Sequence, residues 1–404
     1  MRPFDQSFID EPVTRQNARA SLFDGMWYAV MMGLAFPFYG VFAIKLGGND
    51  YIVGLVTSLP ALVTMLAFLP GAAYANRYVR LVDPLLISAF INRVSFLLFA
   101  IIPFLPLTGM TKAWLFVILL AVASFPGTVA NVSWTALMGR LFPGPLRASV
   151  FSQRNMMGAL VTLVCTLAAG VWLDAVAFPY NYVAVFVLSF ATLMASMYYL
   201  GRLHEEPARS AEEQPCRPRG SGGLWREPRF VGFTVASFVF HFGWNLPAAV
   251  LTVYFVRILG LPQSWIGLFS TIAGLTSVLT YRLWGRVSDR RGNRFGLVAS
   301  TLGFALVIFL YIFSPSPYYI SALMLLGGVA TAGFNLILFN GLLDVCPPES
   351  RATPVAVFNT VIGVANFIAP TVGIVLLDRV GLIPVFVTAA AVRVIGALIY
   401  WRRA

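Results

Sequence analysis

The chain has 404 residues, of which 59% are hydrophobic and 11% charged, with a mean hydropathy of +0.80. A soluble domain of that length needs far more charge to cover its surface, so lipid is the solvent and a water-soluble enzyme or binding module is excluded. The net charge of +12 does not imply a nucleic-acid partner, because the basic residues sit in short stretches between apolar runs and form no stripe with interleaved aromatics.

The first twenty residues are polar and include Asp5, Asp10, Glu11, Arg15 and Arg19. No cleavable signal peptide is expected there, and the first apolar run is long enough to stay as a membrane helix. In chain order the apolar runs are Leu22–Leu46, Ile52–Tyr74, Leu81–Pro103, Ala113–Met138, Ala148–Leu173 and Val183–Leu200, then Phe230–Val256, Trp265–Trp284, Phe295–Phe313, Tyr318–Leu343, Val355–Leu377 and Ile383–Trp401. Each is near the length of about 20 residues that a spanning helix needs. The predicted fold class is therefore an all-α membrane protein of twelve transmembrane helices.

Between the sixth and seventh runs, Arg202 to Arg229 holds Glu205, Glu206, Glu212, Glu213, three prolines and the run Gly220 to Gly223. That composition reads as a linker. It gives a six-helix bundle over 1–201, a cytoplasmic linker over 202–229 and a second six-helix bundle over 230–404. With both termini in the cytoplasm, only Lys45, Lys112, Arg257 and Arg379 fall on the outer side, and Arg93, Arg154 and Arg393 fall inside helices. The rest of the 28 basic residues lie on the side of the termini, as the positive-inside rule requires. The protein is thus expected in the cytoplasmic (inner) membrane.

The halves repeat weakly. Pro143, Arg147, Ala148, Asn155, Leu173 and Asp174 fall 204 residues before Pro347, Arg351, Ala352, Asn359, Leu377 and Asp378. Two copies of one six-helix unit in the same orientation are what parallel transporter repeats look like. Between the eighth and ninth runs the chain reads Gly285-Arg-Val-Ser-Asp289-Arg290-Arg291-Gly292-Asn293-Arg294. Gly292 permits a tight turn, Asp289 suits the positive end of a neighbouring helix, and Arg290 and Arg294 hold the loop on the cytoplasmic side.

This loop resembles the signature of the major facilitator superfamily, Gly-x-x-x-Asp-Arg-x-Gly-x-Arg, which Gly285, Asp289, Arg290, Gly292 and Arg294 match. With twelve helices, a central linker and a six-plus-six repeat, the resemblance covers the whole chain. It implies a cytoplasmic gate latched by those five residues, and transport by alternating access. The equivalent loop of the first half departs from the pattern, with Asn76 in place of the acid and no following glycine. The Arg within helix four and the Gly-Pro pattern in helix five of proton-coupled drug exporters are also missing.

In that family helices one, four, seven and ten line the central cavity, and polar groups deep in such helices are functional candidates because lipid penalises them. Helix seven offers His241, about 16 Å past Phe230 and so near the midplane. Trp244 and Asn245 follow, and Pro247 is expected to break the helix. Helix four offers Asn131 and Trp134, helix ten Phe334 and Asn335, and helix one Tyr28 and Met31. Asn131 and Asn335 are 204 residues apart, on repeat-equivalent positions. His241, Trp244, Asn131 and Asn335 are expected to converge on one water-accessible cavity. Arg154 is placed to pair with Asp24, and Arg93 beside Asn92 reads as structural.

The leading reading is a secondary active or facilitative transporter of a small organic solute, acting as a monomer. Coupling, if any, is to a proton or ion, with His241 or Asp24 as the proton carrier. The alternatives are a proton-coupled drug or metabolite efflux pump and a non-transporting membrane receptor of the same fold. No cofactor is expected. Neither is a metal site, since the three cysteines Cys165, Cys216 and Cys346 and the two histidines are scattered. An intramembrane enzyme lacks paired deep carboxylates or a Ser/His/Asp set at one depth.

The topology has a direct test. Cys216 lies in the linker, so it should resist a membrane-impermeant thiol reagent in intact cells and react after lysis. Labelling in intact cells would invert the orientation.

Overall fold

In a lipid solvent each main-chain N–H and C=O has to be satisfied inside the protein, which leaves the helix as the default for these apolar runs. A computed structural model describes residues 12–142, 144–205, 227–345 and 352–403, which are helical almost throughout and hold no strand among the described residues. Residues 206–226 of the linker, with Cys216, lie outside them, as do Pro143 and the 346–351 stretch that carries Pro347 and Arg351.

The helices are α1 (Pro12–Leu34), α2 (Tyr39–Lys45), α3 (Asp50–Ala75), α4 (Val82–Ile101), α5 (Gly109–Leu141), α6 (Gly144–Ala175) and α7 (Tyr180–Gly201). After the linker come α8 (Pro228–Asn245), α9 (Ala248–Val253), α10 (Gln263–Leu310), α11 (Pro317–Val345), α12 (Ala352–Val380) and α13 (Leu382–Arg403). The first apolar run is divided between α1 and α2 by a tight turn at Phe36–Phe38. Pro37 explains it, since a proline inside a helix removes one hydrogen bond and clashes with the preceding turn.

Eleven helices among the described residues are long and apolar enough to cross a membrane. One of them, α10, has 48 residues, about 72 Å of helix at 1.5 Å per residue. No straight helix of that length fits a core about 30 Å thick. The resolution is Gly292, whose φ of 80° and ψ of 163° interrupt the helix. That backbone region is open essentially to glycine alone. The eighth and ninth sequence runs are therefore separate spans on either side of Gly292, and the twelve-helix reading holds.

The chain divides into two compact units, Met1–Gly47 with Leu66–Glu213, and Gly48–Met65 with Gln214–Ala404. In the first, α1 packs on α6 and α7, and α4 on α5 and α7. In the second, α10 packs on α11 and α13, and α8 on α13 and α12. The start of α3 belongs to the second unit for visible reasons. Arg257 pairs with Asp50 at 2.5 Å and donates to the Gly48 carbonyl, Tyr51 donates to Asp378 at 2.8 Å, and Thr371 donates to Ser58 at 3.0 Å.

The beginning of the linker is docked on the first unit. Asn17 exchanges two hydrogen bonds with the main chain of His204, at 3.0 and 2.9 Å. The Glu205 carboxylate accepts from the amides of Leu81 and Val82, both at 3.0 Å, and pairs with Arg140 at 3.3 Å. Those are the free amides at the start of α4, where a negative charge also meets the helix dipole.

Aromatic contacts fill both interiors. Phe42 meets Phe116, Tyr182 and Phe186 at ring-centroid distances of 4.9 Å in the first unit. Phe240 meets Phe334 at 4.2 Å in the second. Close approach falls to glycine, as expected where helices must touch through van der Waals contact alone. A Cβ on Gly373 of α12 would collide with the Leu246 carbonyl oxygen, a main-chain atom at the end of α8.

That contact sets an expectation. Gly373→Ala should lower the thermal stability of the purified protein by roughly the 1–3 kcal/mol typical of overpacking. Gly139→Ala, where an added Cβ would meet nothing within 4 Å, should be neutral or raise it slightly, since alanine is the better helix former. The midpoint of thermal unfolding in detergent reads both, and an equal response would show that α12 yields freely to α8.

Candidate functional site

Pro247 has no N–H, so the turn that would close on the Gly243 carbonyl cannot form. The chain accordingly leaves α8 at Asn245 and re-enters a helix at Ala248, as the sequence requires. Three groups sit on the turn before the break. The His241 ring lies 6.1 Å from that of Trp244, stacked, and 5.5 Å from that of Phe334. Its Nδ1 is 2.8 Å from the Ser237 carbonyl. A carbonyl only accepts, so Nδ1 carries the proton in the neutral ring and Nε2 is left as the acceptor. Asn245 donates to the His241 carbonyl and to the side chain of Asn366, both at 2.9 Å.

Asn366 was not among the sequence candidates. The available signal was an amide in the middle of the mostly apolar eleventh run, and its partner on another helix could not be read from the sequence. Phe334 is 1% exposed and belongs to the core that also holds Phe233, Phe240 and Tyr400. Asn335, the next residue on α11, is exposed.

In the first unit, Asn131 on α5 is exposed, while Met31 on α1 is 6% exposed and part of the interior. Tyr28 is 44% exposed. Trp134 is half-buried, with its Nε1 buried and without a partner among the described residues, and its ring carries the Arg154 guanidinium at 4.4 Å. Arg154 Nη2 is 3.1 Å from Asp24 Oδ2, the pair expected from depth alone. Arg154 Nε also donates to the Ser21 carbonyl at 3.2 Å. Ser196 donates to Asp24 Oδ1 at 2.6 Å and accepts from Arg93 Nη2 at 2.9 Å. Four helices thus share one charged network, two guanidinium groups around one carboxylate. Arg93 bonds to Ser196 on α7, while Asn92 donates to the Ala123 carbonyl on α5 at 2.8 Å.

Around Gly292, Ser288 donates to Asn293 at 2.5 Å, and Asn293 donates to Asp344 at the end of α11 at 2.6 Å. Arg291 and Arg294 lie over the rings of Phe295 and Trp401, at 4.9 and 5.5 Å. Asp289 and Arg290 are exposed. Among the described residues no group of three His, Cys, Asp or Glu side chains could hold a metal ion. Chemically, the break in α8 offers neutral hydrogen-bond donors and acceptors beside flat aromatic surface, which suits recognition rather than covalent chemistry.

A family model described as Major Facilitator Superfamily matches residues 25–262 and 233–404. The chain is 31% identical over 128 residues to Multidrug resistance protein MdtG of Proteus mirabilis, covering 32% of each chain. It is 27% identical over 168 residues to a Putative sugar efflux transporter of Deinococcus radiodurans, covering 40% of this chain and 43% of that one. The matches span less than half the length of these relatives. Among solved structures, the D-xylose-proton symporter has a TM-score of 0.74 at 15% identity, covering 97% of both chains. The nucleoside transporter NupG has a TM-score of 0.72 at 14% identity, covering 96% of this chain and 98% of that one. At these identities the likeness is one of fold.

The charged network predicts a coupling energy. Asp24→Asn removes the carboxylate shared by two largely buried guanidinium groups, and breaking a buried pair in this way costs about 3–5 kcal/mol. Arg154→Gln added to Asp24→Asn should recover part of that loss. Unfolding midpoints of the two single variants, the double variant and the parent measure it, and strictly additive losses would mean the two side chains do not share an ion pair.

Proposed function

The chain belongs to the Major Facilitator Superfamily, and we propose that it is a secondary active or facilitative transporter that carries a small organic solute across the cytoplasmic membrane by alternating access. The observation that carries this reading is the exposure of Asn131 and Asn335. Each lies ten residues, about 15 Å, before the end of its helix, α5 or α11. An exposed amide at that depth faces either lipid, at a cost, or water. Two such amides on repeat-equivalent positions are what a wetted solute path demands and what a filled, non-transporting core does not. The broken turn at His241, Trp244 and Asn245 supports the same reading, because irregular backbone is tolerated at membrane depth where it lines a cavity or packs on protein.

In this proposal Asn131, Asn335, His241, Trp244, Asn245, Trp134 and Tyr28 contact the solute, and Met31 and Phe334 shape the walls from behind. Gly285, Asp289, Arg290, Gly292 and Arg294 form the cytoplasmic gate. Both termini lie in the cytoplasm, the monomer is the working unit, and a coupling proton, where one is used, is carried by His241 or Asp24.

A thermal-shift screen of the purified protein against nucleosides, sugars and cationic drugs should find a stabilising ligand, because a ligand stabilises the state it binds. Asn131→Ala and Asn335→Ala should then abolish that shift and lower uptake or efflux at least several-fold, with the unliganded unfolding midpoint almost unchanged. Variants that lose folding and ligand response together would make the amides helix-to-helix glue and end the proposal.

A further inference from the structure

Arg393 sits in the middle of α13, eleven residues from its start, and is 4% exposed. Among the described residues no carboxylate pairs with it. Its donors go instead to three main-chain carbonyls. Nε donates to Gly243 at 3.0 Å, Nη2 to Trp244 at 3.3 Å and Nη1 to Phe304 on α10 at 2.6 Å.

The first two partners are not arbitrary. In an unbroken helix the Gly243 carbonyl would accept from the amide of residue 247, and the Trp244 carbonyl from that of residue 248. Residue 247 is proline, which has no amide hydrogen, and residue 248 is where the next helix begins. They are the first two of the carbonyls, from Gly243 to Leu246, that the break between α8 and α9 leaves outside the helical ladder, in a medium where stranded acceptors find no water. The guanidinium is a planar fork of five donors, which fits two successive carbonyls and a third across the helix interface. Gly243 makes room for it, since a Cβ there would lie 3.0 Å from Arg393 Cγ.

We infer that Arg393 is a positioning residue that takes the place of main-chain donors lost where Pro247 breaks α8, and so fixes the orientation of His241, Trp244 and Asn245 in the solute site. The assignment of those three residues to the site rests on the transport reading; the clamp itself does not. It reaches the Trp244 ring as well, since Phe304, whose carbonyl it holds, lies against that ring at 4.6 Å. The arrangement makes Pro247 and Arg393 mutually dependent. Without Arg393 the break has two orphan acceptors, and without Pro247 the break has a donor of its own.

The test is a double-mutant cycle on the purified full-length protein, with wild type, Arg393→Met, Pro247→Ala and the double variant. Arg393→Met should lower the unfolding midpoint by several degrees. In the Pro247→Ala background, where the restored amide of residue 247 can reach the Gly243 carbonyl, the same change should lower it by less than half as much. The emission of Trp244, read as the difference from matched Trp244→Phe proteins, should shift on Arg393→Met when Pro247 is present and stay in place when Pro247→Ala accompanies it. If Arg393→Met does not fold, Arg393→Lys, whose single ammonium cannot span the carbonyls, enters the same cycle with the same expected coupling. Equal midpoint losses in the two backgrounds, or no loss at all, would reduce Arg393 to a core-filling side chain. The cycle needs no solute, so its failure is distinguishable from failure of the transport reading, which the Asn131 and Asn335 variants test separately.

Discussion

The satisfaction of main-chain hydrogen bonds in a solvent that offers none decides where this chain can depart from a helix. Several departures have an identifiable partner or an identifiable residue behind them. At Gly292 the departure needs a backbone conformation that glycine adopts at little cost. At Pro247 it needs outside donors, which Arg393 supplies. Pro126 lies inside α5, and Asn92 of α4 donates to the Ala123 carbonyl, one residue beyond the carbonyl that Pro126 strands. In both units, then, a polar side chain on a neighbouring helix donates to a main-chain carbonyl within a turn of a proline. The start of α4, where the free amides meet Glu205, follows the same rule at a helix end.

The two six-helix halves are weak repeats by sequence, yet they accommodate buried positive charge differently. In the first, Arg154 is paired with Asp24 and Arg93 is linked to the same carboxylate through Ser196. In the second, Arg393 is surrounded by carbonyl dipoles instead of a carboxylate. A carboxylate partner can be neutralised by a proton, which loosens the pair; a main-chain carbonyl cannot. Of the two networks, the first contains a group that can change its charge, and the second sets its cation against main-chain carbonyls. His241 stands beside the second, with a neutral-ring tautomer fixed by the Ser237 carbonyl.

Much of this was legible in the sequence because it depends on length and residue type. Spans are counted from apolar runs, the break in α8 follows from Pro247, the turn of α10 from Gly292, and the Asp24–Arg154 pair from two opposite charges placed at one depth. What escaped the sequence depends on partners that residue identity does not encode. Arg393 stood out as a charge inside an apolar run, but its partners are carbonyls, which every residue has. Glu205 read as part of a polar linker, because nothing in that composition reveals free amides at Leu81 and Val82. Asn366 was passed over for the same reason: an amide in an apolar helix announces a hydrogen bond and not its destination.

The clamp on α8 also shows why the cost of each part cannot be judged alone. A proline inside a helix is unfavourable by about 3 kcal/mol or more, and a buried guanidinium without a carboxylate is unfavourable on its own account. Here each removes the other's penalty. The break supplies acceptors outside the helical ladder, two of which solvate the cation; the cation supplies a donor where the proline has none. Neither residue could be introduced first into an ordinary pair of apolar helices without loss, whereas together they hold an irregular turn in place where lipid would otherwise forbid it. That turn carries an imidazole, an indole and an amide at membrane depth, and its irregularity is the feature that separates α8 from a helix serving only to fill space.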